Sequence, residues 1–472
     1  MNQPATIRWQ PAMAGRAGPL YRAIAAALAE DIANGTLPPG TRLPTHRDLA
    51  WDLKVTVGTI TRAYQEAERQ GLIGGEVGRG TFVRDPRRLV DATVEAGGLL
   101  EPATGLIDLS VNATALWPDA AALAAATQAV AQRPDLTALM SYQTPLGHPR
   151  LRAAIADWLA DTAGLHVTGD QVLLAAGGQG AMQVALAAVT RPGDTLLVEQ
   201  LTYPGMRTLA LHLGLRLVPV PMDGEGLLPD AVEQAARTHG AHALYCMPTL
   251  QNPTTATLSL ERRRALVSMA RRIGLMLVED DVYGFLKQPA VPTLASLGPD
   301  VTLYVSSLSK SLFPGLRTGY VIGPRPLFDR MATVLRATIL TPAHLGTVVA
   351  AELIDSGEAG RIAQRRRALV AERQGLTRTL LRSLDLSASD PDVTHVWLPL
   401  PDNVRRDDLV RAALEHGVKI TSAEAFGVGK AEVQNAVRIC LLGVDHAGQL
   451  ERGVSVLDGL IANPVASSAT LV

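Results

Sequence analysis

The sequence predicts an α/β protein with a small helical head, and three observations carry that expectation. After about position 105, apolar strand segments alternate with helical ones to the end of the chain, the pattern of a largely parallel sheet. Before position 85 there are instead three helical stretches and a glycine-rich hairpin. Between the two, the periodicity decays into "RDPRRLVDATVEAGGLLEPATG", a run of Pro, Gly and charge suited to a linker. The expected organisation is a head at 17–84, a linker at 85–104 and a body at 105–463, whose smaller α+β part spans about 331–463. The last stretch, 464–472 ("PVASSATLV"), reads as a disordered tail.

Composition narrows the class. The 472 residues are 47% hydrophobic and 19% charged, as in soluble globular proteins. No apolar run reaches the length of a membrane span, and the N-terminal stretch lacks the apolar core of a signal peptide. Cys246 and Cys440 are the only cysteines, with no CxxC and no HExxH, so neither a zinc site nor a disulfide framework is expected. These features place the protein in the cytoplasm. The net charge of −1 conceals an asymmetry: residues 1–88 hold 12 Lys+Arg against 8 Asp+Glu, a balance of +4 that leaves −5 for the rest. A basic head on an acidic body suits nucleic acid, and ordinary variation between domains explains so small an excess equally well.

In the head, "LYRAIAAALAEDIANG" sets Tyr21, Ile24, Leu28 and Ile32 on one helical face, ended by Gly35. "THRDLAWDL" opens a second helix with Thr45 as N-cap and Asp48 at the third helical position, a capping-box arrangement. "TVGTITRAYQEAERQG" makes a third, with Val57, Ile60, Tyr64 and Ala67 inward and Gly58, Arg62, Gln65 and Arg69 outward. "LIGGEVGRGTFV" reads as two short strands around a glycine-rich turn. Three helices and a two-stranded wing are the parts of a winged helix-turn-helix. Thr56 and Thr59 then lie at the end of a recognition helix that reaches base edges, with Arg62 on its outer face. Arg47 and Arg79 would meet backbone or minor groove. For that helix alone, an ordinary wet polar face explains the pattern as well.

In the body, the strand candidates are "QVLLAAG", "DTLLVEQ", "LRLVPVPM", "HALYCMP", "LMLVEDD" and "TLYVSSLS", with "VTHVWLPLP", "VKITSAEAF" and "AVRICLLG" in the smaller part. "SSLSKSLFPGLRTGY" follows an apolar strand and so seats Lys310 at the carboxyl end of a sheet, where ligands of open α/β folds bind. A lysine amine that can lose its proton forms a Schiff base with an aldehyde. Ser307, Ser309 and Arg317 suit a phosphate. Taken singly, each piece has a plainer explanation, Lys310 being an exposed loop lysine and Tyr203 a core residue. The order of the pieces adds weight. "AAGGQGAMQVAL" offers helix N-terminal amides at Gly178, Gln179 and Gly180. "QLTYPG" offers Tyr203, "QNPTT" offers Asn252, and "LVEDDVYGF" offers a carboxylate at Asp280 and Tyr283 close behind it. A buried carboxylate there needs a cation, and a protonated pyridine nitrogen is one.

The head resembles the GntR-type winged helix along "LPTHRDLAWDLKVTVGTITRAYQEAERQGLIGGEVGRGTFV", with Val57 where many members have an arginine that contacts DNA. The set GGQGA, TYPG, QNPT, DDVY and SLSK followed by LR resembles the fold-type I aminotransferases dependent on pyridoxal 5′-phosphate, over roughly residues 105 to 463. That resemblance implies a mainly parallel central sheet with helices on both faces. It implies that Lys310 holds the cofactor as a Schiff base, Asp280 pairs with the pyridine nitrogen, and Asn252 and Tyr283 bond the ring's phenolic oxygen. Tyr203 would stack on the ring, while Gly178, Gln179, Gly180, Ser307, Ser309 and Arg317 line the phosphate. Tyr142 in "MSYQTPLGHPRLR" matches a tyrosine offered to the neighbouring subunit's phosphate, which implies a homodimer. Arg438 in "AVRICLLG" matches the arginine that clamps a substrate or effector carboxylate, and Arg207 is a second anion candidate.

Together the two resemblances give the plan of the MocR-type bacterial transcriptional regulators, with head-to-tail dimers on a DNA operator and either the cofactor or an amino compound as effector. Two other readings stand beside it: an active aminotransferase with an accessory head, and a metabolic enzyme whose head only dimerises. The arginine runs 262–264 and 365–367 read as solvated helix faces. "GVGK" at 427–430 lacks the leading strand of a phosphate loop, and His148, His212 and His395 read as isolated.

Overall fold

Local chemistry sets the head. The computed structural model describes residues 9–11, 19–34, 36–38, 41–69, 72–76, 80–83, 105–114, 119–139, 141–142, 144–429 and 433–464. The chain divides into two compact units, 1–97 and 98–472. The expected linker 85–104, the tail beyond residue 464 and Arg79 lie outside the described residues. In the first unit, α1 (Leu20–Ala33), α2 (His46–Asp52) and α3 (Val57–Arg69) precede the antiparallel pair β1 (Ile73–Glu76) and β2 (Gly80–Val83). Thr45 caps α2, accepting from the Asp48 N–H at 3.2 Å. The Asp48 carboxylate accepts from the Thr45 hydroxyl (2.6 Å), so the cap closes between side chains.

The head core gathers Ile24, Leu28, Leu49, Ile60, Ala63, Tyr64 and Ala67. Val57 departs from the expected inward face and is 45% exposed. It is the first residue of α3, and the buried stripe begins one turn later at Ile60. Tyr64 fixes the approach of α3 by donating its hydroxyl to Pro44 O at 3.0 Å.

In the second unit, β3 (Ile107–Asp108) comes first. The main strands β4 (Leu173–Ala176), β5 (Thr195–Glu199) and β6 (Arg216–Val220) follow, then a small hairpin of β7 (Met222–Asp223) and β8 (Gly226–Leu227). Next come β9 (Ala243–Cys246), β10 (Met276–Asp280), β11 (Thr302–Ser307) and β12 (Thr318–Ile322). They assemble as a seven-stranded sheet in the order β4-β12-β11-β10-β9-β5-β6. The sheet is parallel except for β12, which runs antiparallel to both of its neighbours. β12 is not among the strands that the apolar pattern predicts, because it follows the "SLFPGLR" loop directly. Alternate strand residues feed different cores: Leu196, Tyr245 and Val278 pack into one, Leu197, Leu244 and Leu277 into the other. Burial on both faces explains the continuous apolar runs.

The smaller subdomain holds the antiparallel sheet of β13 (His395–Pro399), β16 (Ala436–Cys440) and β15 (Thr421–Ser422), while β14 (Val418–Lys419) pairs in parallel with β3. Helices Glu358–Leu380, Arg406–Glu415 and Ala447–Ala462 accompany it.

Both arginine runs correct the expectation of wet helix faces. Arg263 is fully buried and donates to Leu258 O (2.9 Å), Pro248 O (2.7 Å), Thr249 Oγ1 (2.8 Å) and Pro292 O (3.2 Å). Arg366 is buried against Leu312 O and Asp119, at 2.8 and 3.1 Å. A guanidinium carries five donors in a fixed fork, so backbone carbonyls at the ends of loops satisfy it without water.

Candidate functional site

Five of the body's chemical motifs end up at one edge of the large sheet. Helix Gly177–Val189 starts directly after β4, Tyr203 follows β5, and Asn252 follows β9. Asp280 is the last residue of β10, and Lys310 follows β11. Because β12 is antiparallel, Arg317, just before its first residue, joins the same edge. This is where helix N-termini and loops leave a cleft in open α/β sheets.

Lys310 keeps part of its surface open, yet its amine lies deep enough that burial, with help from the nearby Arg438, pulls its pKa down to about 8. About a tenth of such an amine is neutral near pH 7, and the neutral form is the nucleophile. Its Nζ donates to the backbone carbonyl of Asn112.

Asp280 is 4% exposed; one oxygen accepts from the Tyr245 hydroxyl at 2.7 Å, while Oδ1 is buried with no hydrogen-bond partner among the described residues. Burial pushes its pKa up to about 7. A buried carboxylate with a free oxygen is complete only when a protonated nitrogen or a similar donor meets it. Asp281 points to the other face and accepts from Tyr304 at 2.8 Å, which separates the two acids of the DDVY motif.

Around the amides of the helix start stand Ser307, Ser309 and Arg317, donors suited to an anion. Ser307 Oγ sits 3.5 Å from where a β-carbon on Gly178 would stand, and Ser309 N–H donates to Ser307 Oγ at 3.4 Å. Gly177, at φ +72°, leaves space that the Arg317 guanidinium fills: a β-carbon there would lie 2.6 Å from Nη2. Gly178 and Gln179 fall among the first N–H groups of that helix, which have no intrahelical acceptor, and Gly180 follows them. Gln179 donates to the Tyr203 hydroxyl at 3.1 Å, tying the aromatic ring to the helix start.

On the opposite side, Arg438 lies on the central strand of the small sheet, 6% exposed, with its guanidinium 4.7 Å above the Phe426 ring. It donates to Asn252 Oδ1 (2.8 Å) and Ser110 O (2.7 Å). The same Asn252 therefore faces both the large sheet and the small one. Tyr283 is buried, and its hydroxyl accepts from Asn112 Nδ2 at 2.7 Å.

Sequence reasoning missed Asn112, Thr394 and His395. Asn112 Oδ1 accepts from the Thr394 hydroxyl (2.8 Å), and its Nδ2 lies 3.3 Å from His395 Nδ1. His395 is thus not isolated; its ring centroid is 5.9 Å from that of Tyr283. Burial holds it well below its ordinary pKa, so it stays neutral. Only the unusual polarity of "THV" at the start of an apolar strand hinted at it. Glu199 was missed as well. Buried at the end of β5, it accepts from Gln251 Nε2 (3.1 Å), the residue before Asn252, and burial lifts its pKa to about 8.

Tyr142 is not gathered with the others and stands 86% exposed. Arg207 is half-buried and spends Nη1 on Ala425 O at 3.0 Å. In the head, Arg47, Thr56 and Arg62 are exposed and Thr59 is half-buried. The Thr56 hydroxyl caps α3 by accepting from the Thr59 N–H at 3.3 Å.

Comparison with known proteins places these features. Residues 104–457 match the family aminotransferase class I and II, and residues 20–83 match the bacterial regulatory proteins of the gntR family. The chain is 31% identical to the HTH-type transcriptional regulator YdeF of Bacillus subtilis, over 96% of this chain and 97% of that one. It is 29% identical to the HTH-type pyridoxine biosynthesis transcriptional regulator PdxR of Corynebacterium glutamicum, over 84% and 86%. Among solved structures, the α-aminoadipate aminotransferase LysN of Thermus thermophilus aligns with a TM-score of 0.69 at 23% identity, covering 84% of this chain and 98% of that chain. That alignment establishes the fold of the body.

Proposed function

This chain belongs to the MocR-type family, a gntR-family head fused to a class I and II aminotransferase body, and from that premise we propose a transcriptional regulator that binds DNA through its head and pyridoxal 5′-phosphate through its body. The observation that carries the reading is Lys310: an amine with its pKa drawn down to about 8 at the sheet edge that also holds the unpartnered oxygen of Asp280.

The residues present fit the cofactor. When bound, pyridoxal phosphate supplies an aldehyde carbon for an amine and a ring that withdraws electrons from the bond formed there. Lys310 would hold that carbon covalently, and the free Oδ1 of Asp280 would accept the ring N–H. Tyr283 and Asn252 would donate to the ring oxygen, and Tyr203 would cover the ring face. Ser307, Ser309, Arg317 and the amides of Gly178, Gln179 and Gly180 would hold the phosphate. Arg438 would hold the carboxylate of an amino-compound effector by its fork of donors. The exposed ring of Tyr142 supports a homodimer in which it reaches the partner copy's phosphate. In the head, Thr56, Thr59 and Arg62 would read DNA from the start and outer face of α3, with Arg47 on the backbone. Acting on DNA, the protein would work in the cytoplasm; among the described residues no helix is long and apolar enough to cross a membrane.

A second reading, residual transaminase activity, is supported by the joint presence of Lys310, Asp280 and Arg438. Titration with pyridoxal phosphate and candidate amines, following absorbance and DNA affinity together, separates the two. The regulator reading expects specific protection of DNA upstream of the chain's own coding sequence. No such protection, together with rapid turnover of an amino donor and a keto acid, would overturn it.

A further inference from the structure

Residues 107–114 form a strap gripped by both parts of the body. On the small-subdomain side, β3 pairs with β14, the Leu109 N–H donates to Lys419 O (2.8 Å), and the Cys440 N–H donates to Leu109 O (2.7 Å). The Asp108 carboxylate then folds a turn by accepting from the N–H (2.8 Å) and hydroxyl (2.6 Å) of Ser110. On the large-sheet side, Lys310 Nζ donates to Asn112 O and the Thr114 hydroxyl donates to Ser309 O at 3.1 Å. Between these grips, Arg438 donates to Ser110 O. Both cations expected to meet ligand therefore spend an N–H on carbonyls of the same short strap, at Ser110 and Asn112.

Ligand chemistry removes the two cation contacts, at Asn112 O and Ser110 O, and leaves the Thr421 hydroxyl donating to Ser110 O at 3.2 Å. When the neutral lysine amine condenses with an aldehyde, a C=N bond replaces the C=O bond. Both amine hydrogens leave with the aldehyde oxygen as water. A neutral imine nitrogen has no hydrogen left to give to Asn112 O. A carboxylate at Arg438 competes for the donors now held by Ser110 O and Asn252, and charged acceptors win such contests. Asn112 is also the hub that bonds Tyr283 and Thr394, so its release reaches the rest of the site. In the chain, the strap lies just after the residues 85–104 expected to lead from the head.

We propose that residues 107–114 are the coupling element of the sensor, latched to Lys310 and Arg438 through Asn112 O and Ser110 O and let go when those side chains take an aldehyde and a carboxylate. The strap thereby passes occupancy along the chain toward the head. This rests on the reading of the body as a pyridoxal phosphate site.

Hydrogen–deuterium exchange on the full chain, with pyridoxal phosphate as the probe, tests the latch. Once visible absorbance reports bound cofactor, the amides of Leu109, Ser110 and Ala113 should exchange faster, on the order of tenfold, while those of residues 178–180 slow. Lys310→Met without cofactor should show the same faster exchange and ignore the probe. Bound cofactor with unchanged or slower exchange in the strap overturns the latch. If no absorbance develops, the cofactor reading fails, and the Lys310→Met comparison still decides the latch by itself. Should that variant not fold, Thr114→Val removes the neighbouring grip and must give faster exchange too. Transmission is tested with Asp108→Ala and Thr114→Val. Both should keep the absorbance and lose most of the change in DNA affinity that pyridoxal phosphate causes. An undiminished change in these variants, or no change in the unaltered protein, overturns the coupling role.

Discussion

In the head, Arg47, Thr56 and Arg62 stand exposed on a three-helix scaffold whose core they do not enter. In the body, Asp280, Asn252, Tyr283 and Arg438 are buried and each is bonded to a distant residue, Asp280 to Tyr245, Tyr283 to Asn112, and Arg438 on the small sheet to Asn252 beside the large one. A surface that reads DNA works by adding separate contacts to phosphates and bases, so its side chains can be nearly independent. A cavity that reacts with an amine must first shift pKa values and orient donors, which requires burial and shared partners. Changes in the head should therefore add up, whereas changes in the body should propagate.

The sharpest test is Lys310→Ala, which should abolish the visible absorbance of lysine-bound cofactor entirely. If the colour persists, the cofactor site has been assigned to the wrong lysine. Next in size is Arg263→Met. Four hydrogen bonds and the nearby Glu279, at 3.8 Å, depend on that buried guanidinium, and its removal should cost about 3–5 kcal/mol in denaturant unfolding. A loss below about 1 kcal/mol would mean the body tolerates disconnection as easily as a surface does.

The pH dependence follows from the acids at the sheet edge. Burial pushes Asp280 and Glu279 up to about 7 and Glu199 up to about 8. Their folded values exceed their unfolded ones, so near neutral pH the native state holds protons that the unfolded chain has lost. Stability then falls as pH rises through the folded values. His395, neutral when folded, acts in the opposite direction only below about 6.5, and Lys310 only above about 8. The cofactor-free protein should lose stability between pH 6.5 and 8, by up to about 1.4 kcal/mol per pH unit for each group still protonated. Thermal melts across this window check it; Asp280→Asn should flatten the slope, and a midpoint that rises instead contradicts the assignment. Smallest is Arg62→Ala in the head. It should weaken DNA binding a few-fold, reduce the salt slope by about 1 if the contact is to phosphate, and leave cofactor absorbance untouched. A change in absorbance would break the contrast between the two regions.

How much was legible depended on how local each signal is. Ile60, Tyr64 and Ala67 declare their face by spacing along one helix, and Thr45 caps the preceding helix through a residue three positions away. Gly177, Asp280 and Lys310 sit at strand ends, and strand ends are visible as the close of apolar runs. Val57 failed because spacing says which side a residue faces but not whether anything covers its turn. Arg263 and Arg366 failed because charge predicts exposure unless carbonyls wait at the right place, and those carbonyls belong to other elements. His395 looked isolated for the same reason.

The sequence by itself determined that a winged helix precedes an α/β body, and which lysine, acid and glycine turn stand at the strand ends. These are consequences of periodicity and of chemistry within a few residues. Only the tertiary structure decided what those groups touch. Asn112 meets Tyr283 and Lys310 across separations of 171 and 198 residues, and Ser110 meets Arg438 across 328. Such contacts are set by how the subdomains pack their apolar cores. No local pattern encodes them, because the hydrogen bonds form only after burial has brought both partners out of water.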